Sequence, residues 1–217
     1  MTNYYNKYTK YKYKYLNLKL TGGNMQTIIL TVPHAKSNES IPNNMRTHDM
    51  VALSFAQKLK KNFTDNKYKV NIIISSQSRN IIDDNRNEAF DKSTLLWQEL
   101  KEALNSSMLS NTILLDIHSF PNPYFDSNMI AFLENKTHTN SIGKILCNKL
   151  MIKDIKCNVY TAMANMNAII DHNKQVKYIL LIEVNESLSE NELTKLSNKV
   201  YEGVIKILKE DIIHPNL

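Results

Sequence analysis

Short, strongly apolar runs alternate along this chain with longer stretches whose apolar residues recur every three or four positions. Residues 26–32 (QTIILTV), 69–75 (KVNIIIS), 112–118 (TILLDIH), 128–133, 155–160 and 176–184 are brief and rich in β-branched residues, which predicts strands. Four segments carry helical stripes instead. Residues 45–62 align Met45, His48, Ala52, Phe55 and Leu59, and residues 88–105 align Leu96, Trp97, Leu100 and Leu104. Residues 140–151 predict a third helix, and 190–210 a closing one, with Leu193, Leu196, Val200, Val204 and Leu208 in register. Alternating strand and helix predicts an α/β fold of three layers, a mostly parallel or mixed twisted sheet between helices. No internal repeat or long linker divides the chain, so residues 24–217 read as one domain.

The polar residues that interrupt this pattern fall just past the strand runs. QTIILTV is followed by Pro33-His34 and then Glu39, KVNIIIS by Arg79, NTILLDI by His118, and KYILLI by Glu183. In sheets of this kind ligands bind beyond the carboxyl ends of the strands, so these residues define one candidate site. Two His, a nearby carboxylate and a further carboxylate suit a hydrolytic zinc centre, which takes three protein ligands of N/O type and leaves a position for water. His34 and Glu39 both reach one ion if their loop folds back; the other reading is a loop histidine beside a helix-entry carboxylate. Asp116 lies two residues before His118 and so shares its strand face, either orienting a ligand or forming a structural Asp–His pair. Glu183 closes a very apolar run, where desolvation raises a carboxyl toward the range a general base needs; a strand-end Glu facing water is the alternative. In SRNIIDDNR two arginines flank Asp83 and Asn85. Arg86 with Asn85 would favour a substrate carrying a free carboxylate, and one Arg could steady an oxyanion; from the segment alone a salt-bridged surface loop is the better reading. His48, His138, His172 and His214 read as non-ligands, and Met163–Met166 as packing or loop.

Charge adds one qualification. The net charge is +6, but Lys7, Lys10, Lys12, Lys14 and Lys19 contribute +5 within residues 1–23, leaving +1 for residues 24–217. The basic balance therefore belongs to a Tyr/Lys leader, with Tyr4, Tyr8, Tyr11 and Tyr15 at helical spacing, and argues against nucleic-acid binding except through that leader. The leader reads as a solvated tail or as a tag for anionic surfaces, and its composition is similar to leaders on giant-virus proteins. Cys147 and Cys157 are the only cysteines, outside any CxxC pair, and predict free thiols in a reduced compartment. With no membrane-length apolar run and no secretory signal, the expectation is a soluble cytoplasmic protein, in a host cytoplasm or a virion.

PHxxxxE, RxxxDxNR, DIHSF and IEVN, in that order over about 28–188, resemble the N-formylglutamate amidohydrolase family, a branch of the zinc carboxypeptidase-like superfamily with its phosphorylase/hydrolase-like layout. The resemblance implies Zn2+ held by His34, Glu39 and His118, Glu183 as base, Asn85 and Arg86 as carboxylate clamp, and Arg79 at the oxyanion. It implies a small-molecule or short-peptide substrate with a free carboxylate, such as N-formylglutamate or another N-acyl amino acid. The step from His34 to Glu39 also resembles phage poly-γ-glutamate hydrolases, so a peptidase of carboxypeptidase or poly-γ-glutamate type is an alternative. The chain departs from the family at Ala35-Lys36, where Gly or Ser-Gly is usual, and in the Gly-free loop YTAMANMNAI. Those departures leave room for a descendant that binds without catalysing.

Overall fold

The computed structural model describes residues 26–35, 49–121, 124–134, 142–151, 155–162 and 167–213. The leader 1–23, Lys36, Glu39, Met45, His48, His138, Met163–Met166 and His214 lie outside the described residues.

Six strands form one sheet: β1 (Thr27–Val32), β2 (Lys69–Ile74), β3 (Thr112–Phe120), β4 (Ile130–Glu134), β5 (Cys157–Thr161) and β6 (Tyr178–Asn185). Their spatial order is β2-β1-β3-β6-β4-β5. Every neighbouring pair is parallel except β4 with β6. The mixed sheet between helices agrees with the layout the alternating pattern predicts. Burial follows position: β1 and β3 are buried at every residue, whereas the edge strands β2 and β5 are mostly half-exposed. Strands buried on both faces need apolar residues throughout, which is why TIILTV and TILLDI lack a strict alternation.

Helices α1 (Ala52–Asp65), α4 (Ile142–Met151) and α6 (Glu190–Ile213) cover one face; α2 (Asn87–Asp91), α3 (Leu95–Asn105) and α5 (Ala168–His172) cover the other. The first face holds the larger core, where Ile28, Leu30, Leu115, Phe132 and Ile182 meet Phe55, Phe63, Leu146 and Val204. Phe55 has no exposed surface at the centre of that core. Phe55→Ala is expected to cost about 3–5 kcal/mol of unfolding free energy, because apolar contact is lost and a cavity left behind; denaturant melts of the two proteins give the difference. No helix among the described residues is long and apolar enough to cross a membrane.

Two expectations need correction. The helix expected over 88–105 is broken after Asp91. Ser93 adopts a left-handed φ of 50°, and the Thr94 hydroxyl donates to Asp84 Oδ1 at 2.5 Å, so a buried carboxylate captures the backbone where the stripe alone would continue it. The two cysteines are not free thiols: Cys147 of α4 and Cys157 of β5 are joined in a disulfide with Cα atoms 5.7 Å apart. The short return from α4 into the edge strand brings the two positions within bridging distance.

Topology fixes where a ligand can sit. From β1 the chain crosses by α1 on one face to β2, then returns by α3 on the opposite face to β3, on the other side of β1. The crossovers diverge between β1 and β3, and a crevice opens at the carboxyl ends of those two strands.

Candidate functional site

That crevice is where His34 and His118 meet. His34 follows β1 in a Pro33–His34 turn, and His118 is the seventh residue of β3. Their rings lie edge to face with centroids 4.7 Å apart, and both residues are buried. Asp49 joins them from the segment entering α1. Its backbone N–H donates to His34 O at 2.9 Å. Its Oδ2 lies 3.2 Å from His34 Nδ1 and 3.0 Å from His118 Nδ1, and accepts the Ser119 backbone N–H at 3.2 Å.

The opposite nitrogens of both rings face carboxylates as well. His34 Nε2 is 2.7 Å from Asp83 Oδ1, and His118 Nε2 is 3.0 Å from Asp116 Oδ2. A carboxylate accepts only, so each Nε2 donates to the carboxylate behind it, and Nδ1 is the nitrogen each ring would offer to a metal beside Asp49. Asp116 is fixed in turn by the Thr31 hydroxyl, which donates to Oδ1 at 2.7 Å. One ligand atom from each of His34, Asp49 and His118 lies within 4.8 Å of the others. Two imidazole nitrogens and one carboxylate, with the rings oriented by further carboxylates, are a donor set that fits Zn2+. In this arrangement Asp83→Asn is expected to weaken zinc affinity about 10–100-fold by loosening His34; competition with a chromogenic chelator measures it.

Electrostatics within the metal-free cluster are strongly coupled. Burial alone would raise the Asp49 carboxyl, but the hydrogen bonds and charges of His118 and His34 outweigh it and hold the group well below the usual carboxylate range. Asp83 behaves alike: burial opposes, and contacts with His34, Arg86 and Arg79 prevail. For His118 burial favours the neutral ring, yet the charges and hydrogen bonds of Asp116 and Asp49 raise it well above its ordinary 6.5. A raised histidine contributes stability that is complete below its unfolded value and lost as pH rises through its folded one. The metal-free protein is therefore expected to melt at higher temperature near about pH 6 than near about pH 9, as thermal denaturation in chelator would show. A metal ion held by these residues would compete with protons for the ring nitrogens, so any stabilisation it gave would grow as pH rises.

Glu183 sits beside the cluster. It is the register partner of His118 in the parallel ladder, so both side chains leave the same face of the sheet. It is half-buried and lines a cavity of about 390 Å³ together with His34, Asp49 and His118. Arg79 and Arg86 line the same cavity from the loop after β2. Asp83 Oδ2 holds both, at 3.3 Å from Arg79 Nη2 and 3.5 Å from Arg86 Nη2. Asn85 is buried, its Oδ1 accepting the Ile169 N–H at 3.2 Å and its Nδ2 lying 3.1 Å from His118 Nε2. The structure thus brings His34, His118, Glu183, Arg79, Asn85, Arg86 and Asp116 into one place, while Glu39 falls outside the described residues. His172 is elsewhere, stacked on Phe90 with ring centroids 3.8 Å apart.

Two participants escaped the sequence reading. Asp49 follows a stretch whose apolar spacing continues the helix backward to residue 45, which places it on an outer helical surface; an acid directly ahead of the true helix start was the available signal. Asp83 was visible only as a partner of two arginines, because nothing in the local sequence shows that it reaches His34, 49 residues away.

No family model matches the chain, and no curated protein matches it in sequence. Solved structures share its fold. Gene product Atu2144 from Agrobacterium tumefaciens is similar over 88% of this chain and 91% of its own, at 14% identity and a TM-score of 0.68. The catalytic domain of CwlV, an N-acetylmuramoyl-L-alanine amidase from Bacillus (Paenibacillus) polymyxa, is similar over 85% of this chain and 98% of its own, at 13% identity and a TM-score of 0.53. A mutant of murine aminoacylase 3 is similar over 88% of this chain and 65% of its own, at 12% identity and a TM-score of 0.50. At these identities the likeness is one of fold.

Proposed function

We propose that this protein is a zinc-dependent amidohydrolase that cleaves a small N-acyl amino acid, of the N-formylglutamate type or a relative, at its amide bond. The observation that carries the reading is the convergence of His34 Nδ1, His118 Nδ1 and Asp49 Oδ2, with each ring held from behind by Asp83 or Asp116. Zn2+ on these three residues would supply a Lewis acid that polarises the scissile carbonyl and makes a bound water acidic near neutral pH. Glu183, on the same face as His118, takes the proton from the attacking water on its carboxylate and returns it to the departing amine nitrogen. Arg86 pairs with the substrate carboxylate, its fork matching that planar anion. Arg79 lies closer to the cluster, with Nη1 3.8 Å from Asp49 Oδ1, where it can face the oxygen that gains charge as the carbonyl is attacked. Amidase and aminoacylase among proteins of similar fold support the choice of an amide as the bond cleaved.

The test is direct. Elemental analysis of the purified protein is expected to find one zinc per chain. The zinc-loaded protein is expected to hydrolyse at least one of N-formylglutamate, N-acetyl amino acids or short glutamyl peptides. Stoichiometric zinc with no turnover of any of them would leave a binding protein; absence of zinc from the folded chain would remove the centre altogether.

A further inference from the structure

We infer that the acyl half of the substrate is an apolar, ring-sized group seated on Phe125, Leu133 and Tyr160. This rests on the amidohydrolase reading of the site and specifies the part of the substrate that the arginines leave undetermined.

The cavity is chemically two-ended. Sheet order places His34 just past β1, His118 on β3, Glu183 on β6, Leu133 on β4 and Tyr160 on β5, in that sequence across the molecule. Arg86 stands at the His34 end, tied to the Asp83 that holds His34. A substrate whose carboxylate meets Arg86 and whose amide lies over the two histidines therefore extends its acyl group past Glu183 toward β4 and β5.

The lining there is Leu133, the Tyr160 ring and Thr161. Leu133 pairs with Leu181 of β6 and with Tyr160 of β5, so Leu133 and Tyr160 face the same way as Glu183. No described residue lining the cavity on these two strands carries a charge. Phe125 closes the wall, its ring 4.9 Å from that of Tyr160 and 5.0 Å from that of Phe120. The Tyr160 hydroxyl accepts from the amides of Asn128 and Asn158, at 3.5 and 3.4 Å, and its polar end is turned toward them.

Phe125 gives an independent reason to read this wall as a built feature. Its φ is 55°, in the left-handed region that bulky residues avoid. It is held there by Asn128, whose backbone N–H and side-chain amide both donate to Phe125 O. A ring kept in a costly backbone conformation in the lining of a cavity points to a contact made with a ligand. A formyl group is too small to reach these rings, and a second carboxylate would find no cation on this side among the described residues.

The experiment holds the amino acid constant and varies the acyl group. N-formyl-, N-acetyl- and N-phenylacetyl-glutamate are compared with the zinc-loaded full-length chain. We expect kcat/KM to rise by about tenfold or more from formyl to phenylacetyl, since each well-placed apolar group is worth at least that much discrimination. Calorimetric binding to the zinc-free protein, where nothing is cleaved, is expected to keep the same order. Phe125→Gly keeps the left-handed backbone and removes the ring; Tyr160→Ser and Leu133→Asn change the other two walls. Each should bring the phenylacetyl-to-formyl ratio toward unity. A formyl compound processed and bound at least as well as the phenylacetyl one overturns the inference and leaves the hydrolase reading intact. Selective binding of the phenylacetyl compound with no turnover of any amide does the reverse.

Discussion

Glu183→Gln lowers turnover by about 10²–10⁴-fold while zinc content stays at one per chain, the range expected when a general acid–base is removed and little else changes. Gln keeps the size and one oxygen of the side chain but can neither accept nor return a proton at neutral pH. The residue is the register partner of His118 and lines the cavity beside it, so it is placed for proton transfer without belonging to the donor cluster. Turnover and elemental analysis on one preparation make the outcome decisive. Activity retained within a few-fold would take the proton-transfer role from Glu183; loss of zinc together with activity would make it a metal ligand instead. Substrate affinity should change little if Arg86 holds the substrate carboxylate as proposed, since that residue is untouched.

Asp49→Ala has the second large effect: zinc is lost at chelator concentrations that leave the native protein loaded, and hydrolysis falls with it. Asp49 Oδ2 is the atom common to both imidazoles, and the Asp49 backbone N–H also donates to His34 O. The alanine variant keeps that backbone N–H, and the donor set drops from three to two; circular dichroism on the same preparation checks that the fold is retained. Structural zinc apart, a two-nitrogen site without a carboxylate falls short of the three protein ligands that catalytic zinc takes. Asp49→Glu is a useful contrast, since it keeps the charge but moves it by one methylene in a buried position that packs tightly. Retention of stoichiometric zinc by Asp49→Ala would shift the third ligand elsewhere, and Glu39 would be the first residue to test.

The same pattern of burial decides what could be read from the sequence. β1, β3 and β6 stand out because strands covered on both faces must be apolar throughout, and the closing helix because its one buried stripe recurs without interruption. His34, Arg79, His118 and Glu183 could be grouped because a strand end is itself legible. Contacts made by long-range closure left no such trace. The approach of Asp49 to His34 depends on how a loop returns, the reach of Asp83 on the sharp turn after β2, and the break at Ser93 on a buried Asp84 that captures Thr94. The cysteine pair was misjudged for a related reason: counting thiols says nothing about a helix that doubles back onto an edge strand.

The position of β6 has a consequence for how the molecule comes together. Among the described residues it is the last strand in sequence, yet it lies between β3 and β4. Until it docks, the β2-β1-β3 half and the β4-β5 pair have no shared strand, and each presents an open, pairing-competent edge. The same strand that joins the halves also carries Glu183, so the cavity beside His118 is complete only once β6 is in place. Fragments ending before residue 178 should be sticky and inert, and the slow step of renaturation should be the insertion of this keystone between two waiting sheets.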